Sequence, residues 1–369
     1  MRVGRRDIRV RPPSLAWFTL VLAVTLGPPS SSAQDCNALD AVKFVCLSAG
    51  AEDLVAIPNS DWVILSGELR AVNTTNFSEV RLFPIARSRF DQTRYSSCPG
   101  PLTERDIANR KATAHGINLR AGPNGVHTLY VVHHPQRESV EVFEVDARGK
   151  TPTITWVGCV LSPAGVSGNS VAVLPNHGFA LTNFLSRGLG GYRGEAGASV
   201  RAKLAGGEPT GEVWEWNPGQ GWTKVPGSDG AGPNGLEASP DGRWFYIAEW
   251  GTQKVIKLSR GQPNPTKQEV SLDFHPDNLR WQSDGSLLAA GQHGTVDAIL
   301  SDCLSNDDCR GVATSVASID PVSLEAQELV HRYPANGYFA AGTTGLKVGN
   351  DIWVGSTYRG TRIARFGAK

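Results

Sequence analysis

The 369 residues carry 36 basic and 35 acidic side chains, with 41 glycines, 23 prolines and a single methionine. A net charge of +1 argues against a nucleic-acid partner, which needs a cationic face to neutralise phosphates. Frequent turn residues and short apolar runs point to an all-β chain of many short strands.

Residues 1–33 read as an export signal. Arg2, Arg5, Arg6, Arg9 and Arg11 form a basic head, Leu15 to Leu26 an apolar stretch, and Ser31-Ser32-Ala33 a small-residue cleavage site. The apolar stretch is short of the roughly 20 residues of a membrane span. Cleavage leaves residues 34–369 as one exported domain, secreted or periplasmic; left uncleaved, the segment is a membrane anchor. The six cysteines, Cys36, Cys46, Cys98, Cys159, Cys303 and Cys309, contain no CxxC pair and suit disulfides in an oxidising compartment. Cys303 and Cys309 flank a short polar loop and are expected to close it.

One unit then recurs six times: a polar residue opens an apolar run, a turn follows, and a second apolar run follows the turn. The starts are Glu52-Asp53-Leu54, His115-Gly116-Ile117, Asn169-Ser170-Val171, Asn234-Gly235-Leu236, Asp277-Asn278-Leu279 and Thr344-Gly345-Leu346. Their turns include Asp241-Gly242 and Asp284-Gly285, which are hairpin signals. No helix-period pattern of useful length intervenes. Six such units predict a six-bladed β-propeller. Two stretches, Ala71 to Arg110 and the glycine-bearing insertion from Ser186 to Thr210, are expected to lie over the tunnel mouth and set specificity.

In a propeller the first strand of each blade faces the axis, so the six opening residues gather at one mouth. Glu52, Asn169, Asn234, Asp277 and Asn278 then supply five side-chain oxygens and two negative charges, the donor set of Ca²⁺ rather than of Zn²⁺. His115 belongs to the same ring, and in the following strand of its blade alternation sends His133 and His134 to opposite faces, so that one of them can approach His115. An imidazole there suits proton abstraction from water. No G-x-S-x-G element supports a serine hydrolase.

Across Gly50 to Leu54, Ala114 to Ile117, Val131 to Pro135, Ser139 to Phe143, Asn169, Pro233 to Glu249, Asp277-Asn278 and Val354 to Ser356, the chain resembles the paraoxonase/arylesterase family. That family belongs to the calcium-dependent gluconolactonase and strictosidine-synthase-like propellers. The resemblance implies a calcium-dependent hydrolase of lactones or of aryl or alkyl esters, acting on a small-molecule substrate. Its catalytic ion would fall to Glu52, Asn169, Asn234, Asp277 and Asn278. His115 and His134 would form the catalytic pair, with Asp277 as the alternative base or nucleophile. It also implies a second, structural calcium on Asp53, the Ile117 carbonyl and an Asp where this chain has Ser170. The family's disulfide between the chain ends has no counterpart, since no cysteine follows Cys309, so ring closure is expected to rest on strand pairing. The alternative reading is a strictosidine-synthase-like or non-catalytic propeller whose cation only stabilises the fold.

Overall fold

The computed structural model describes residues 38–39, 41–83, 87–102, 114–356 and 361–367. The export signal read in residues 1–33 lies outside the described residues, as do Cys36 and part of the 71–110 stretch. Among the described residues, no helix is long and apolar enough to cross a membrane.

Six four-stranded antiparallel sheets form the blades of a β-propeller. Their innermost strands are β2 (Leu54–Ala56), β6 (Ile117–Arg120), β10 (Gly168–Val173), β14 (Pro233–Ala238), β18 (His275–Trp281) and β22 (Thr344–Val348). Each lies beside the innermost strand of the next blade, and β22 returns to β2, so the ring is closed. The last blade takes its outer strand from the other end of the chain. There β1 (Lys43–Cys46) pairs with β24 (Arg362–Gly367), Phe44 facing Ala364 and Val45 facing Ile363. Closure by strand pairing is thus as the sequence implied. Apolar faces such as those of Val142, Val171, Phe179 and Leu181 are buried between neighbouring blades. Each such side chain contributes about 1.5–3 kcal/mol over its exposed state.

A shared irregularity decides what faces the axis. In β10, β14 and β18 one extra residue is inserted against the second strand, between Gly168 and Val171, Pro233 and Leu236, and Pro276 and Leu279. These β-bulges fall on Asn169-Ser170, Asn234-Gly235 and Asp277-Asn278. In the second blade, His115 N–H donates to the Val132 carbonyl while Val132 N–H donates to Gly116, again two residues against one. A bulge re-aims side chains and resets the alternation by one residue. Consequently Asn234 and Glu237, or Asp277 and Arg280, can both face the axis although three residues apart.

The bulged segments are also stitched from blade to blade. Gly116 N–H donates to the Asn169 carbonyl at 3.0 Å, and Asn278 N–H to the Thr343 carbonyl at 2.8 Å. A side chain at Gly116 or Gly235 would collide with the neighbouring blade's backbone, the Asn169 and Asp277 oxygens each lying 2.3 Å from the added carbon. Ser170 takes part as well, its hydroxyl accepting from Leu236 N–H at 3.2 Å.

Below this belt sits Arg280, its side chain 3% exposed. It reaches from the fifth blade to the Asp53 carboxylate and the Ile117 carbonyl, donates to the Leu54 carbonyl at 2.9 Å, and meets Glu237 at 3.2 Å. Asn118 adds an amide at 3.3 Å from both Glu237 oxygens. This overturns the expected second calcium. The carboxylate of Asp53 and the carbonyl of Ile117, the two ligands named for it, are held by a guanidinium instead, and Ser170 is engaged with the fourth blade.

Two expectations about the connections also need correction. The segment after Ser186 is not free of helix: α1 (Ala198–Ala205) buries Val200, Arg201 and Leu204. Its sequence, ASVRAKLA, is too short and too weakly patterned to announce itself. The described part of the 71–110 stretch contributes no residue to the lining of the cavity at the mouth. It forms β4 (Arg70–Asn73) and β5 (Glu79–Arg81), then runs along the outer edge of β9 (Thr153–Leu161), where Arg89 N–H donates to Trp156. Cys98 bonds to Cys159 of the same edge strand.

Replacing Arg280 by Met should leave Asp53 and Glu237 buried without their counter-charge. Breaking a buried pair in this way costs about 3–5 kcal/mol. Urea unfolding should show a lowered midpoint with an unchanged slope. Wild-type stability in the variant would refute the role given to this side chain.

Candidate metal and active site

A cavity of about 720 Å³ opens at the mouth of the tunnel. Its floor holds Glu52, His115, His134, Asn169, Asn234 and Asp277. All but one of the residues named from the sequence for the catalytic ion therefore line one cavity, although up to 225 residues separate them (277 − 52). The exception is Asn278, which lies just beneath, bonded through its amide to Asp277 Oδ1 at 3.3 Å. Asp53 and Ile117 do not join them; Arg280 holds both in the layer below.

Oxygen atoms at the floor are left without partners. The side-chain carbonyls of Asn234 and Asn278 and the hydroxyl of Thr344 are buried and form no hydrogen bond. An unsatisfied buried carbonyl costs about 1–3 kcal/mol, and two of the three belong to positions predicted as metal ligands. Beside them are two carboxylates. Asp277 is 7% exposed, and burial, reinforced by the charge of Glu52, pushes its carboxyl well above the usual range. Gln292 donates to Asp277 Oδ2 at 2.8 Å and to the Gly342 carbonyl at 2.9 Å, while accepting from Trp250 Nε1 at 2.8 Å. Sequence reasoning missed Gln292, which sits in an apolar strand with nothing nearby to mark it. Thr343 fixes the other carboxylate's backbone, its hydroxyl donating to the Glu52 carbonyl at 2.6 Å. Carboxylates and orphaned amide oxygens together are a fit for a hard cation. Glu52, Asn169, Asn234, Asp277 and Asn278 would hold it.

The histidines meet as expected. His115 Nδ1 lies 2.8 Å from His134 Nε2, and His115 Nε2 lies 2.9 Å from Glu52 Oε1. Burial works against a charge on His115, but the carboxylate of Glu52 outweighs it and lifts the imidazole to about 9. Reciprocally, burial would raise Glu52, yet the charge and hydrogen bond of His115 hold it below its ordinary value. The pair is one proton-sharing unit at the edge of the oxygen ring.

The walls come from insertions between strands. Phe184, Leu185 and Tyr192 stand on the segment before α1; Ile299, Leu300 and Leu304 stand on a helical turn closed by the Cys303–Cys309 disulfide. Trp250 joins them in one apolar cluster with Val200 and Leu204 of α1. The disulfide agrees with the sequence expectation, whereas the role of its loop as a wall does not follow from its polar composition. The Ser186 insertion lines the mouth as expected, through Arg187, Gly190, Tyr192 and Arg193. An exposed trio of Asp273, Glu328 and His331 lies apart from the cavity lining and takes no part in this site.

No protein-family model matches the chain, and no curated protein matches it. Similar solved structures include a proposed gluconolactonase, 14% identical over 89% of this chain and 93% of that one with a TM-score of 0.49. A luciferin-regenerating enzyme is 12% identical over 89% and 98%, with a TM-score of 0.49. The calcium-binding protein regucalcin from Agrobacterium tumefaciens is 13% identical over 64% and 66%, with a TM-score of 0.36. At such identities the likeness concerns fold alone and gives no residue a role.

The Glu52–His115 contact has a pH signature. The folded value of His115 lies above the ordinary one, so the contact contributes fully at acid pH, below about 6.5. The contribution is lost as the pH rises through about 9. In the presence of a chelator, histidine-resolved NMR should place this titration near 9 and bring it down sharply in Glu52→Gln. A value still near 9 in that variant would mean that Glu52 is not the cause.

Proposed function

We propose that this protein is a calcium-dependent hydrolase of small lactones or carboxylic esters. The observation that carries the reading is the pairing of two elements at one floor. Unpartnered amide oxygens of Asn234 and Asn278 stand with the carboxylates of Glu52 and Asp277, and a coupled imidazole pair stands beside them. Oxygen donors without thiolate favour calcium over zinc.

A calcium ion bound there would polarise a carbonyl and stabilise the negative charge that develops on it. The chain's own groups do the rest. His115, relieved of its hydrogen bond to Glu52, presents Nε2 to take a proton from an attacking water, and His134 accepts the share carried by Nδ1. Asp277 is the alternative base, its raised carboxyl being already proton-seeking. The apolar wall of Trp250, Ile299 and Leu300 excludes water from the far side of the cavity. Export through residues 1–33 is part of the same proposal, and the disulfides Cys98–Cys159 and Cys303–Cys309 support it.

Purified protein should hydrolyse phenyl acetate or simple lactones, lose that activity with EDTA and regain it with calcium. Asp277→Ala should lose calcium affinity and turnover together. His115→Gln should keep the ion, measured by calorimetry, while turnover on a lactone falls by about 10²–10⁴-fold, the usual general-base contribution. Affinity should also rise with pH, because the ion displaces protons from Asp277 and His115. A calcium-dependent melting shift with no turnover on a broad ester and lactone panel would instead identify a scaffold. Loss of the ion in His115→Gln would place that residue among the ligands and end its assignment as base.

A further inference from the structure

The imidazole pair does not end at His134. Its Nδ1 lies 2.7 Å from Glu138 Oε2, and the other oxygen of Glu138 accepts from Arg187 Nη2 at 2.5 Å and from the Ser167 hydroxyl at 3.4 Å. His134 and Glu138 are the two ends of the loop joining β7 (Val126–His133) to β8 (Ser139–Asp146). The loop brings them together, and its remaining polar side chains are tied elsewhere. Arg137 is paired with Glu141 through two 2.8 Å bonds, and His133 with Gln136 at 2.8 Å. The backbone carbonyl of Glu138 is in turn fixed by Ser162 N–H at 2.9 Å. Arg187 comes from the mouth segment of the third blade and is itself part of the cavity lining.

The chemistry of this row has a direction. A carboxylate can only accept, so Glu138 requires a hydrogen on His134 Nδ1. A neutral His134 then has its lone pair on Nε2, facing His115. His115 must donate from Nδ1 to meet it, and the Glu52 carboxylate by the same rule takes a hydrogen from Nε2. His115 is therefore doubly protonated here, and its Nε2 offers a lone pair to the cavity floor only once Glu52 turns away. We propose that Glu138 is a positioning residue for the imidazole pair, that it selects the His134 tautomer, and that Arg187 holds Glu138 in place. This rests on the hydrolase reading for its effect on turnover, but the tautomer itself does not.

The test uses the full protein with calcium, ¹⁵N-labelled at histidine. In wild type, His134 should show a protonated Nδ1 and an acceptor-type Nε2. Glu138→Leu, which removes the acceptor, should shift His134 toward the other tautomer. It should lower kcat on phenyl acetate or a simple lactone by about 10–100-fold, the loss typical when a partner orienting a histidine is removed, with KM and calcium affinity little changed. Glu138→Gln keeps an amide oxygen for the Nδ1 hydrogen and should restore most of the tautomer and much of kcat. Arg187→Met should move both readouts the same way by less. An unchanged tautomer in Glu138→Leu overturns the proposal whatever the activity does. Should Glu138→Leu fail to fold, unchanged kcat and tautomer in Arg187→Met overturn it equally. A shifted tautomer in a protein that hydrolyses nothing on the panel supports the positioning role and sinks the hydrolase reading alone.

Discussion

Charge buried along a narrow axis has to be neutralised where it lies, and the guanidinium of Arg280 does this for the inner layer of the tunnel. Asp53 arrives from the first blade, Glu237 from the fourth, and the carbonyls of Leu54 and Ile117 from the first and second. A single side chain of the fifth blade thus holds groups from three others. Burial pushes Glu237 up to about 7 against the pull of Arg280, and it raises Asp53 as well. The layer above is built on the same inner strands with the same kinds of residue, but among the described residues no arginine or lysine pairs with its carboxylates, Glu52 and Asp277. Glu52 finds its counter-charge in His115, while Asp277 meets only neutral amides, those of Gln292 and Asn278. One layer is a finished structural joint. The other keeps oxygen lone pairs in reserve, and this difference separates scaffold from site within one tunnel.

Much of the site was legible because a repeat converts sequence position into spatial position. Glu52, His115, Asn169, Asn234 and Asp277 share one place in five of the six units, and their convergence needs no knowledge of loops. Strand closure was equally legible, from the absence of a cysteine after Cys309. What escaped had no periodic signature. The bulges at Asn169-Ser170, Asn234-Gly235 and Asp277-Asn278 reset the alternation of each inner strand, so a strict count of two would place Glu237 and Arg280 on the wrong face. Arg280 itself stands between Leu279 and Trp281 in an apolar run, and only the three-dimensional neighbourhood shows which anions it meets. The expected second calcium failed for that reason: the cation that meets Asp53 and the Ile117 carbonyl comes from the chain itself.

Glu138 escaped for another reason. The spacing His134 to Glu138 spans a tight loop between strands, and a four-residue separation carries no meaning there unless the loop's conformation is known. The apolar wall was similarly hidden. Ile299, Leu300 and Leu304 precede or enter a stretch whose visible content is Ser, Asn and Asp, yet they line the cavity and join one apolar cluster. Rigid inner strands and blade-to-blade hydrogen bonds carry the reactive groups, whereas inserted segments carry the surface a substrate would meet. Such a division lets the wall vary without disturbing the floor.

The pairing of β1 with β24 bears on how the molecule comes into being. Residues 43–46 are among the first of the domain to be synthesised, yet their partner, residues 362–367, is among the last. Five blades can assemble from neighbouring segments as they emerge, because each is continuous in sequence. The sixth cannot, and β1 must wait as an unpaired edge while some 315 residues (362 − 47) follow it. Pairing at such separation is slow, because a long loop has to close before any contact rewards it. An open strand edge is meanwhile a template for the wrong partner. The step that locks the ring is therefore also the one most exposed to misassembly, and it completes the floor of the cavity only at the end, when the sixth blade brings Thr343 against Glu52.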